Sequence, residues 1–383
     1  MRICVLTSVH DPFDPRIFYR EARALAGAGH DVILIAPGDF SEQVRDGVRI
    51  LGAARPTSRW GRPRTWLSLL RHAIRLDPDV IHVHDPELLL LVPLLRVRLG
   101  KRVRLIYDVH EYFIDSIAHK VWIPPVLRKP AAQVVRVLER ALGRGVDGLV
   151  FAVDEQAPLY DKWRARKQAI HNYPEVRIFA DPRPLTKPMD ERYRLAHFGS
   201  LYERRGIMEM LEALPRVIKE VPDTLLILGG KFESAAFEKR VQAFLRDRGL
   251  SQHVKLVGWV DHTRVRDYLA SADVAWLPGL KVQQYQNWAL STKLLECMLM
   301  GLPIVSADLP YHRTFIEKAD CGLMVPGDDP AAHAEALIWL YHHPEERRAM
   351  GARGRRLVLE NYTWERESEK LIAFYEALSY DGR

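Results

Sequence analysis

The sequence predicts an α/β protein made of two doubly wound domains, each with a parallel sheet between layers of helices. Short apolar runs rich in Val, Ile and Leu alternate with amphipathic segments, a pattern typical of strands that helices cover on both faces. A proline-rich stretch interrupts this alternation, which then begins again. The chain has 383 residues, more than the roughly 250–300 at which a single hydrophobic core stops growing.

The first half contains five strand-like segments, each followed by a helix-like one. The strands are expected at ICVLTS, DVILIAP, DVIHVH, RLIYDVH and GLVFAV. The helices are expected at about 16–29, 62–76, 86–98, 125–145 and 153–165. This alternation predicts an N-terminal Rossmann-like domain over residues 1–180.

A linker and a second domain follow. Residues 174–193 carry four prolines and little periodicity, which is typical of a linker. The alternation resumes with the strands RLAHFGS, TLLILGG, VKLVGW, DVAWLP and PIVSAD. We therefore expect a second Rossmann-like domain over residues 190–361 and a terminal amphipathic helix within residues 362–383. Two such domains are expected to face each other across a cleft.

The composition excludes several classes of protein. The three cysteines are scattered and form no CxxC pair, which argues against a disulfide or zinc framework and for a reducing compartment. The most lipid-like run, Leu88–Leu95, is short and contains Pro93, whereas a spanning helix needs roughly 20 apolar residues. No signal peptide is visible. We therefore expect a cytoplasmic protein.

The formal charge of +7 belongs to the first half of the chain. Residues 1–185 contain 29 Lys and Arg against 21 Asp and Glu, and residues 186–383 contain 27 against 28. Either these are solvated helix faces, or they attract an anionic lipid surface or a diphosphate-bearing acceptor. The basic amphipathic segment 123–145 has the same two interpretations, a surface helix or a membrane-touching one. Nucleic acid is not expected, because aromatic residues do not interleave with the basic ones.

Several chemically active residues fall at predicted strand ends. In open α/β sheets, ligands bind beyond the carboxyl ends of the strands. The residues at such positions are His10, His110, Gly199, Gly230, Trp259 and Pro278. We therefore expect them to line one cleft.

The segment Asn287–Pro303 has the pattern of a phosphate-binding helix. Lys293 and Glu296 are three residues apart and share one helix face. The preceding Ser291 and Thr292 are typical of an N-cap, where free backbone N–H groups and the helix dipole favour an anion. A carboxylate one turn further along is suited to bind a pair of sugar hydroxyls.

The chain resembles a known enzyme family along its whole length. The matching motifs are HDPFDPRIFYREARALAGAGHDVILIAP from His10, IHVHDPEL, YDVHEYF, NYP, HFGSLYERRGI and NWALSTKLLECMLMGLP. They resemble the retaining, sugar-nucleotide-dependent glycosyltransferases of family four, in the bacterial subgroup with the HE motif. The resemblance implies the GT-B fold, an acceptor-side N-terminal domain, a donor-binding C-terminal domain and a last helix that crosses back to the first domain.

Site residues follow from the motif positions. The resemblance implies that His110 and Lys293 are catalytic. It implies donor contacts by Gly199, Ser200, Arg204, Arg205, Lys231, Trp259, Asn287, Ser291, Thr292 and Glu296. It places His10, Asp11, Asp14, Arg16 and Glu111 on the acceptor side. No metal or other cofactor is implied, because cations and a helix N-terminus hold the diphosphate.

The sequence departs from the family pattern at two positions. Ser200 stands where relatives commonly carry an Arg, so Arg204 or Lys231 is expected to replace that cation. Trp288 stands where many relatives carry the first of two glutamates. The contacts that this glutamate would make with sugar hydroxyls are then expected from Asn287, Lys293 or backbone N–H groups near Ser291.

Structural alternatives exist for most of these residues. His110 can hydrogen-bond a backbone carbonyl, Trp259 can pack in the core, and Asp14 can cap a helix that begins with Pro15. Arg204 and Arg205 can form a solvated first turn. His82 and His84 lie on one strand face without an evident third metal ligand, so we interpret them as packing or cleft-lining residues.

The expected function is transfer of a sugar from a nucleoside-diphosphate sugar to a hydroxyl group of a saccharide or lipid-linked acceptor, with retention. The family suggests bacterial surface polysaccharide or glycolipid synthesis, with the protein peripheral at the inner face of the cell membrane. Two alternatives stay open: a catalytically retired nucleotide-sugar-binding protein, and a sugar-nucleotide epimerase or phosphorylase of the same architecture.

Overall fold

The computed structural model describes residues 1–55, 61–110, 117, 123–182, 192–280 and 292–380. The chain forms two compact units. The first unit comprises Met1–Asn172 and Glu365–Arg383, and the second comprises Tyr173–Trp364. The C-terminal segment therefore belongs to the first unit, and the chain passes between the units at Asn172 and Trp364.

The first unit is built on an eight-stranded sheet. Its strands are β1 (Arg2–Leu6), β2 (Asp31–Pro37), β3 (Glu42–Arg45), β4 (Val48–Ala53), β5 (Val80–Val83), β6 (Arg104–Val109), β7 (Gly148–Phe151) and β8 (Arg166–Ala169). They are ordered β3-β4-β2-β1-β5-β6-β7-β8. All neighbours are parallel except β3 and β4, which form an antiparallel hairpin. Strands β1, β2, β5, β6 and β7 correspond to the five predicted ones.

In the first unit the sequence pattern missed three strands, β3, β4 and β8, and two of them lie at the sheet edges. Strand β3 is mostly exposed, and β8 has the polar sequence RKQA, so neither carries a buried apolar run. The β3–β4 turn is Asp46-Gly47, with φ of 50° and 79°. An Asp-Gly pair with positive φ at both positions is the common two-residue hairpin turn, so the sequence did carry a signal for it.

Helices cover the first sheet. Its α-helices are Arg23–Gly27, Arg62–Leu76, Val92–Leu99, Pro125–Leu142 and Trp364–Tyr380. The last of these belongs to the first unit from Glu365 onward. A π-helical segment, Ile17–Ala22, leads into the first of them, and 3-10 turns occupy Pro86–Leu91, Gly143–Gly145 and Asp154–Tyr160. The prediction of a helix at 153–165 is wrong, because this part of the chain contains the short 3-10 turn Asp154–Tyr160. Pro158 lies inside that turn and cannot donate an α-helical hydrogen bond.

The last helix packs on the first sheet. Leu371, Phe374 and Leu378 are buried. A side-chain carbon at Gly148 in β7 would lie 2.8 Å from Phe374 Cζ and 2.9 Å from Leu378 Cδ1. Glycine at this position therefore allows the helix to approach the strand closely.

The second unit contains a six-stranded, fully parallel sheet. Its strands are β9 (Tyr193–Phe198), β10 (Thr224–Gly229), β11 (Val254–Gly258), β12 (Val274–Leu277), β13 (Ile304–Ala307) and β14 (Gly322–Val325). They are ordered β11-β10-β9-β12-β13-β14. The helices are Val176–Phe179, Ile207–Glu220, Ala235–Asp247, His262–Leu269, Thr292–Leu299, Pro310–Ala319, Pro330–His342 and Pro344–Asn361, with a 3-10 turn at Glu203–Arg205.

Each sheet has a topological switch point beside its first strand. In the first unit, β1 lies between β2 and β5; in the second unit, β9 lies between β10 and β12. Chain connections leave in opposite directions at such a point and open a crevice at the carboxyl ends of the strands. The predicted fold class, two doubly wound parallel-sheet units, is confirmed. No helix in the described ranges combines the length and apolar character needed to cross a membrane.

Candidate active site

A lysine and a glycine meet at the switch point of the second unit. Gly199 follows β9 with φ of +146°, and its N–H donates to the Gly229 carbonyl at 2.9 Å. A side-chain carbon at Gly199 would lie 2.7 Å from Cδ of Lys293 and 2.8 Å from its Nζ. The Lys293 ammonium therefore lies directly against the Gly199 backbone, beyond the carboxyl end of β9.

The environment of Lys293 is positively charged. Burial is the main reason that its pKa falls from 10.5 to about 8, and Arg205 lowers it further. Burial is the main reason that the pKa of His197 falls to about 3 and that of His312 to about 3, and the charge of Lys293 is the second reason in each case. These imidazoles are therefore neutral at pH 7. An anion at this position would offset the repulsion between the two cations.

Arg204 and Arg205 belong to the turn that precedes the helix Ile207–Glu220. Their guanidinium carbons lie 5.0 and 5.4 Å from the centroid of the Tyr202 ring. Gly206 follows with φ of +76°, and a side-chain carbon there would lie 3.0 Å from the Gly279 nitrogen. This close approach holds the arginine turn beside the carboxyl end of β12.

Glu296 lies one turn after Lys293 and is only 7% exposed. Its Oε1 is 2.8 Å from Nε2 of His262, the first residue of the helix His262–Leu269. Asp261 caps that helix by accepting a hydrogen bond from the Thr263 N–H at 2.9 Å. The contact holds one carboxylate oxygen of Glu296.

Lys231 and Trp259 lie at the ends of β10 and β11. The Lys231 Nζ is 5.6 Å from the centroid of the Trp259 ring, and Trp259 is 64% exposed. The Lys231 carbonyl accepts a hydrogen bond from the Leu201 N–H at 2.9 Å, which ties this loop to the one after Gly199. The alternative interpretation, that Trp259 packs in the core, is therefore wrong, and its ring is open to a ligand.

In the first unit, three histidines lie beyond the ends of β1, β5 and β6. Nδ1 of His84 is 2.9 Å from Nε2 of His110, and the rings of His10 and His110 have centroids 5.1 Å apart. His10 Nδ1 lies 3.0 Å from Asp85 Oδ1. Burial, the largest single influence, lowers the pKa of His10, but the hydrogen bond and the charge of Asp85, with the charges of Asp14 and Asp108, together raise it above 6.5.

Two family models match most of the chain. A glycosyl transferase 4-like domain matches residues 16–174, and glycosyl transferases group 1 matches residues 192–343. The chain belongs to the group 1 glycosyltransferases.

Known relatives of this glycosyltransferase family member share its length. A phosphatidyl-myo-inositol mannosyltransferase from Mycolicibacterium smegmatis is 27% identical over 94% of this chain and 89% of the relative. Sucrose-phosphate synthase from Thermosynechococcus elongatus has a similar fold, with a TM-score of 0.73 at 18% identity and complete coverage of both chains. The structure of Anabaena Alr3699/HepE in complex with UDP also has a similar fold, with a TM-score of 0.71 at 14% identity. The match covers 98% of this chain and all of that one.

The second unit of this glycosyltransferase brings most predicted donor residues to the carboxyl edge of its sheet. Gly199, Ser200, Arg204, Arg205, Lys231 and Trp259 follow β9, β10 and β11, and Thr292, Lys293 and Glu296 lie in one helix. Ser200 and Thr292 are half-buried. Three predicted site residues, Glu111, Asn287 and Ser291, lie outside the described residues.

The acceptor-side position expected for Arg16 is wrong. We expected it to face an acceptor, but it is only 4% exposed. Its Nε donates to Asp108 Oδ2 at 3.1 Å, and its Nη1 donates to the Ile170 carbonyl at 2.7 Å and to Asn172 Oδ1 at 2.9 Å. The buried Asp108, the Ile170 carbonyl and the Asn172 side-chain oxygen attract the guanidinium inward, where it anchors the N-terminal loop.

The two aspartates of the same loop make local hydrogen bonds. Asp14 Oδ1 accepts from the Arg16 N–H at 2.8 Å and from the Ile17 N–H at 3.0 Å, so the capping interpretation of Asp14 is confirmed. Asp11 Oδ1 accepts from the Phe13 N–H at 2.9 Å, and Asp11 is exposed. Of the two, Asp11 is the more exposed, since Asp14 is half-buried.

Two residues near His82 and His84 were missed by sequence reasoning. Glu21 and Asp108 join them, and ligand-type atoms of all four lie within 4.8 Å of one another. The Arg16 guanidinium pairs with both carboxylates, with Nε 2.9 Å from Glu21 Oε1 and Nη2 3.0 Å from Asp108 Oδ2. Because Arg16 already supplies positive charge there, we interpret the group as a hydrogen-bonding cluster. Arg16, Glu21, His82, His84 and Asp108 are called the buried polar cluster below.

His262 was also missed. Its only sequence signal is its position directly after a capping Asp and close behind the end of β11. The pairing with Glu296 depends on two helices that are adjacent in space and separated in sequence, so periodicity alone does not reveal it.

Proposed function

We propose that the protein is a retaining glycosyltransferase that moves a sugar from a nucleoside-diphosphate sugar to a hydroxyl acceptor. The observation that carries this proposal is the Lys293 ammonium packed against Gly199 with Arg205 nearby. Two close cations and a glycine backbone at a switch point form a site suited to a diphosphate. The Anabaena structure of similar fold, solved in complex with UDP, supports a nucleotide as a ligand of this protein.

Glu296 is the residue we assign to the nucleotide ribose. Its Oε1 is held by His262, so Oε2 is the oxygen that accepts hydrogen bonds from the ribose hydroxyls. Trp259, with its exposed ring beside Lys231, is the residue we assign to the base. Arg204 and Lys231 are the cations we assign to the position left by Ser200.

In the proposed reaction, Lys293 and Arg205 stabilise the charge that develops on the leaving diphosphate. A preorganised pair of cations performs this role without a divalent metal ion. The leaving phosphate oxygen takes the proton from the acceptor hydroxyl, which attacks the anomeric carbon on the same face. The bond to the diphosphate breaks as the bond to the acceptor forms, so the configuration is retained. His110 is the residue we assign beside the donor sugar.

We propose that the acceptor is carried by a membrane and that the protein binds the inner membrane surface peripherally. The helix Pro125–Leu142 exposes Val126, Leu127, Val134, Val137 and Leu138. Arg128, Lys129, Arg136 and Arg140 lie in the same helix. Apolar and basic side chains together are typical of a helix that lies at an anionic interface. The mannosyltransferase relative, named for a phosphatidyl-myo-inositol acceptor, supports a lipid acceptor.

The decisive experiment is an activity screen in EDTA with UDP-, GDP- and ADP-sugars and lipid extracts as acceptors. We expect transfer from one donor, and NMR of the product should show the anomeric configuration of the donor. Inversion would exclude the mechanism. Complete turnover of the donor without any acceptor would favour an epimerase or hydrolase instead, and binding without turnover would favour a retired enzyme.

A further inference from the structure

Asp85 is a buried carboxyl group beyond the end of β5, and hydrogen-bond donors surround one of its oxygens. Oδ2 accepts from the Ser8 backbone N–H at 2.6 Å and from the Thr7 hydroxyl at 2.9 Å. The Ser8 hydroxyl lies 3.1 Å from the same oxygen. Asp85 itself is only 2% exposed. A backbone N–H can only donate, so Oδ2 of Asp85 carries no proton.

The whole carboxyl group is ionised. Burial, the largest single influence, raises the pKa of Asp85, but the hydrogen bond and charge of His10 and the hydrogen bonds from Ser8 and Thr7 together lower it below 3.8. A carboxylate that accepts several hydrogen bonds stays charged at pH 7 even when it is buried. The second oxygen, Oδ1, lies 3.0 Å from His10 Nδ1.

The contact between Asp85 and His10 has one possible direction. A carboxylate oxygen only accepts, so the proton of this hydrogen bond is on His10 Nδ1. Thr7 agrees with this direction: its hydroxyl donates to Asp85, so its oxygen, 3.1 Å from His10 Nδ1, faces the N–H as an acceptor. When His10 is neutral, Nε2 is therefore the nitrogen with a free electron pair.

The free nitrogen belongs to the open side of the histidine. The side chain of His10 is 29% exposed, whereas that of Asp85 is 3% exposed. Because Nδ1 faces the buried carboxylate, the opposite edge of the ring, which includes Nε2, points away from it. The described residues offer Nε2 no hydrogen bond, and the nearest aromatic ring is that of His110, with centroids 5.1 Å apart. This edge of the first sheet thus presents a basic nitrogen to a ligand.

The surroundings make His10 more basic than an ordinary histidine. The charged groups that face it are Asp14, Asp85 and Asp108, and its histidine neighbours are His84 and His110. Burial lowers the pKa of His10, but the three carboxylates together raise it above 6.5. The two neighbouring histidines are neutral at pH 7, mainly because burial lowers their own pKa values. Above its pKa, the Nε2 of His10 is consequently a strong hydrogen-bond acceptor.

We propose that Asp85 is a positioning residue that fixes the His10 proton on Nδ1, and that His10 Nε2 accepts a hydrogen bond from a hydroxyl group of the acceptor substrate. A bare nitrogen attracts a hydroxyl and repels a phosphate oxygen, so a hydroxyl-rich ligand fits this edge. The identity of that ligand rests on the proposed function. The hydroxyl bound here is not the one that attacks, because the attacking hydroxyl gives its proton to the leaving phosphate.

Asp85→Asn tests the direction of the hydrogen bond. The Ser8 N–H holds the amide oxygen at the position of Oδ2, so the amide NH₂ takes the position of Oδ1 and directs its hydrogen atoms at His10 Nδ1. A neutral His10 can then carry its proton only on Nε2. We expect the tautomer to be inverted and the His10 pKa to fall below the wild-type value, in a protein of nearly unchanged shape.

The measurement is ¹⁵N NMR of histidine-labelled full-length protein without substrate, titrated with pH. The His10 signals are assigned by their loss in His10→Gln. Above the His10 pKa, wild type should show protonation on Nδ1, and Asp85→Asn should show it on Nε2. Predominant Nε2 protonation in wild type would overturn the proposal even if Asp85→Asn failed to fold. A folded Asp85→Asn that keeps the wild-type tautomer would overturn it as well.

Two control variants remove buried hydrogen bonds without touching the His10–Asp85 contact. Ser8→Ala removes a hydroxyl on the Oδ2 side of Asp85 and keeps the Ser8 backbone N–H. Tyr375→Phe removes the contact of 2.7 Å between Tyr375 OH and His82 Nδ1 in the buried polar cluster. Both should show His10 protonated on Nδ1. Inversion in either control would mean that general loosening of the fold moves the proton, which would overturn the role of Asp85.

Kinetics separate this proposal from the proposed function. With a lipid extract as acceptor and the active donor, the apparent acceptor KM should fall as pH rises through the His10 pKa, where Nε2 becomes bare. His10→Gln offers an amide oxygen at every pH and should remove this dependence. Asp85→Asn should raise the acceptor KM about ten-fold, the value of one hydrogen bond, with kcat nearly unchanged. An unaltered pH dependence in His10→Gln would overturn the role of Nε2. If no donor supports transfer, the NMR results still decide whether Asp85 fixes the tautomer.

Discussion

Nζ of Lys293 lies so close to Gly199 that any side chain at position 199 would strike it, with a distance of 2.8 Å to the first side-chain carbon. The φ of +146° at Gly199 also belongs to a backbone region that other residues rarely adopt. The glycine therefore serves two purposes, because it permits the turn after β9 and it leaves room for the ammonium.

Gly199→Ala is expected to weaken nucleoside-diphosphate binding by up to about 10- to 100-fold, because the added methyl group displaces the flexible end of Lys293. The strained backbone should also lower the free energy of unfolding by about 1–3 kcal/mol. Calorimetric titration and thermal unfolding measure the two effects. Gly249→Ala is the matched control: Gly249 has φ of +67° and no neighbouring atom within 4 Å of a side-chain carbon. It should lose stability and keep nucleotide binding; equal binding by both variants would refute the role of Gly199.

Lys293→Met should weaken nucleoside-diphosphate binding about 10- to 100-fold, the value of a charge-assisted hydrogen bond. The apo protein should become more stable at pH 7, since burying the Lys293 ammonium is unfavourable. The unfolded chain holds this proton up to about pH 10.5 and the folded one only up to about pH 8. The contribution of Lys293 to the free energy of unfolding therefore rises across that window, and the stability gain in Lys293→Met should shrink there.

Binding should show the opposite dependence on pH. Wild-type affinity for a nucleoside diphosphate is expected to fall as pH rises above about 8, where Lys293 loses its charge. In Lys293→Met the same titration should be nearly flat. A parallel pH dependence in both proteins would assign the effect to another group.

Glu296→Gln should remove the preference for a ribose over a 2′,3′-dideoxyribose nucleotide. The carboxylate is expected to accept hydrogen bonds from both hydroxyls, and those bonds contribute roughly 1.5–3 kcal/mol. Titration of the two diphosphates into wild type and Glu296→Gln measures the difference. His262→Ala should show a smaller loss, because it frees the carboxylate without removing it. If Glu296→Gln keeps the full preference for the ribose nucleotide over the dideoxyribose one, the ribose does not bind to Glu296.

The exposed apolar face of the helix Pro125–Leu142 gives a prediction for membrane binding. Val134→Asp with Val137→Asp should reduce cosedimentation with phosphatidylglycerol vesicles at least several-fold, since the helix loses apolar contact and gains negative charge. Val44→Asp, at an exposed valine of β3, is the matched control and should bind as wild type does. Binding that is insensitive to both the substitutions and the lipid charge would exclude this helix as the contact.

The sequence was sufficient to predict the fold and the edge of the sheets at which most candidate site residues lie. Buried apolar runs specify strands, and the carboxyl-end rule places Gly199, Gly230 and His110 at strand ends without any three-dimensional information. The helix with Lys293 and Glu296 was also predictable, because two residues three apart share a face.

The inward course of Arg16 was not predictable from the sequence. An Arg in a polar loop is normally exposed, and only the depth of Asp108 and the carbonyl of Ile170 attract it into the interior. The same is true of Glu21, whose meeting with His82 and His84 joins separate segments of the chain. Pairs that depend on tertiary packing leave no periodic signal.

The most direct test of the central claim is a crystal structure of the protein with a nucleoside diphosphate, grown in EDTA. We expect phosphate oxygens within hydrogen-bond distance of Lys293 Nζ and the Arg205 guanidinium, and the ribose hydroxyls on Glu296. A diphosphate bound elsewhere, or one joined to the protein only through a metal ion, would contradict the account.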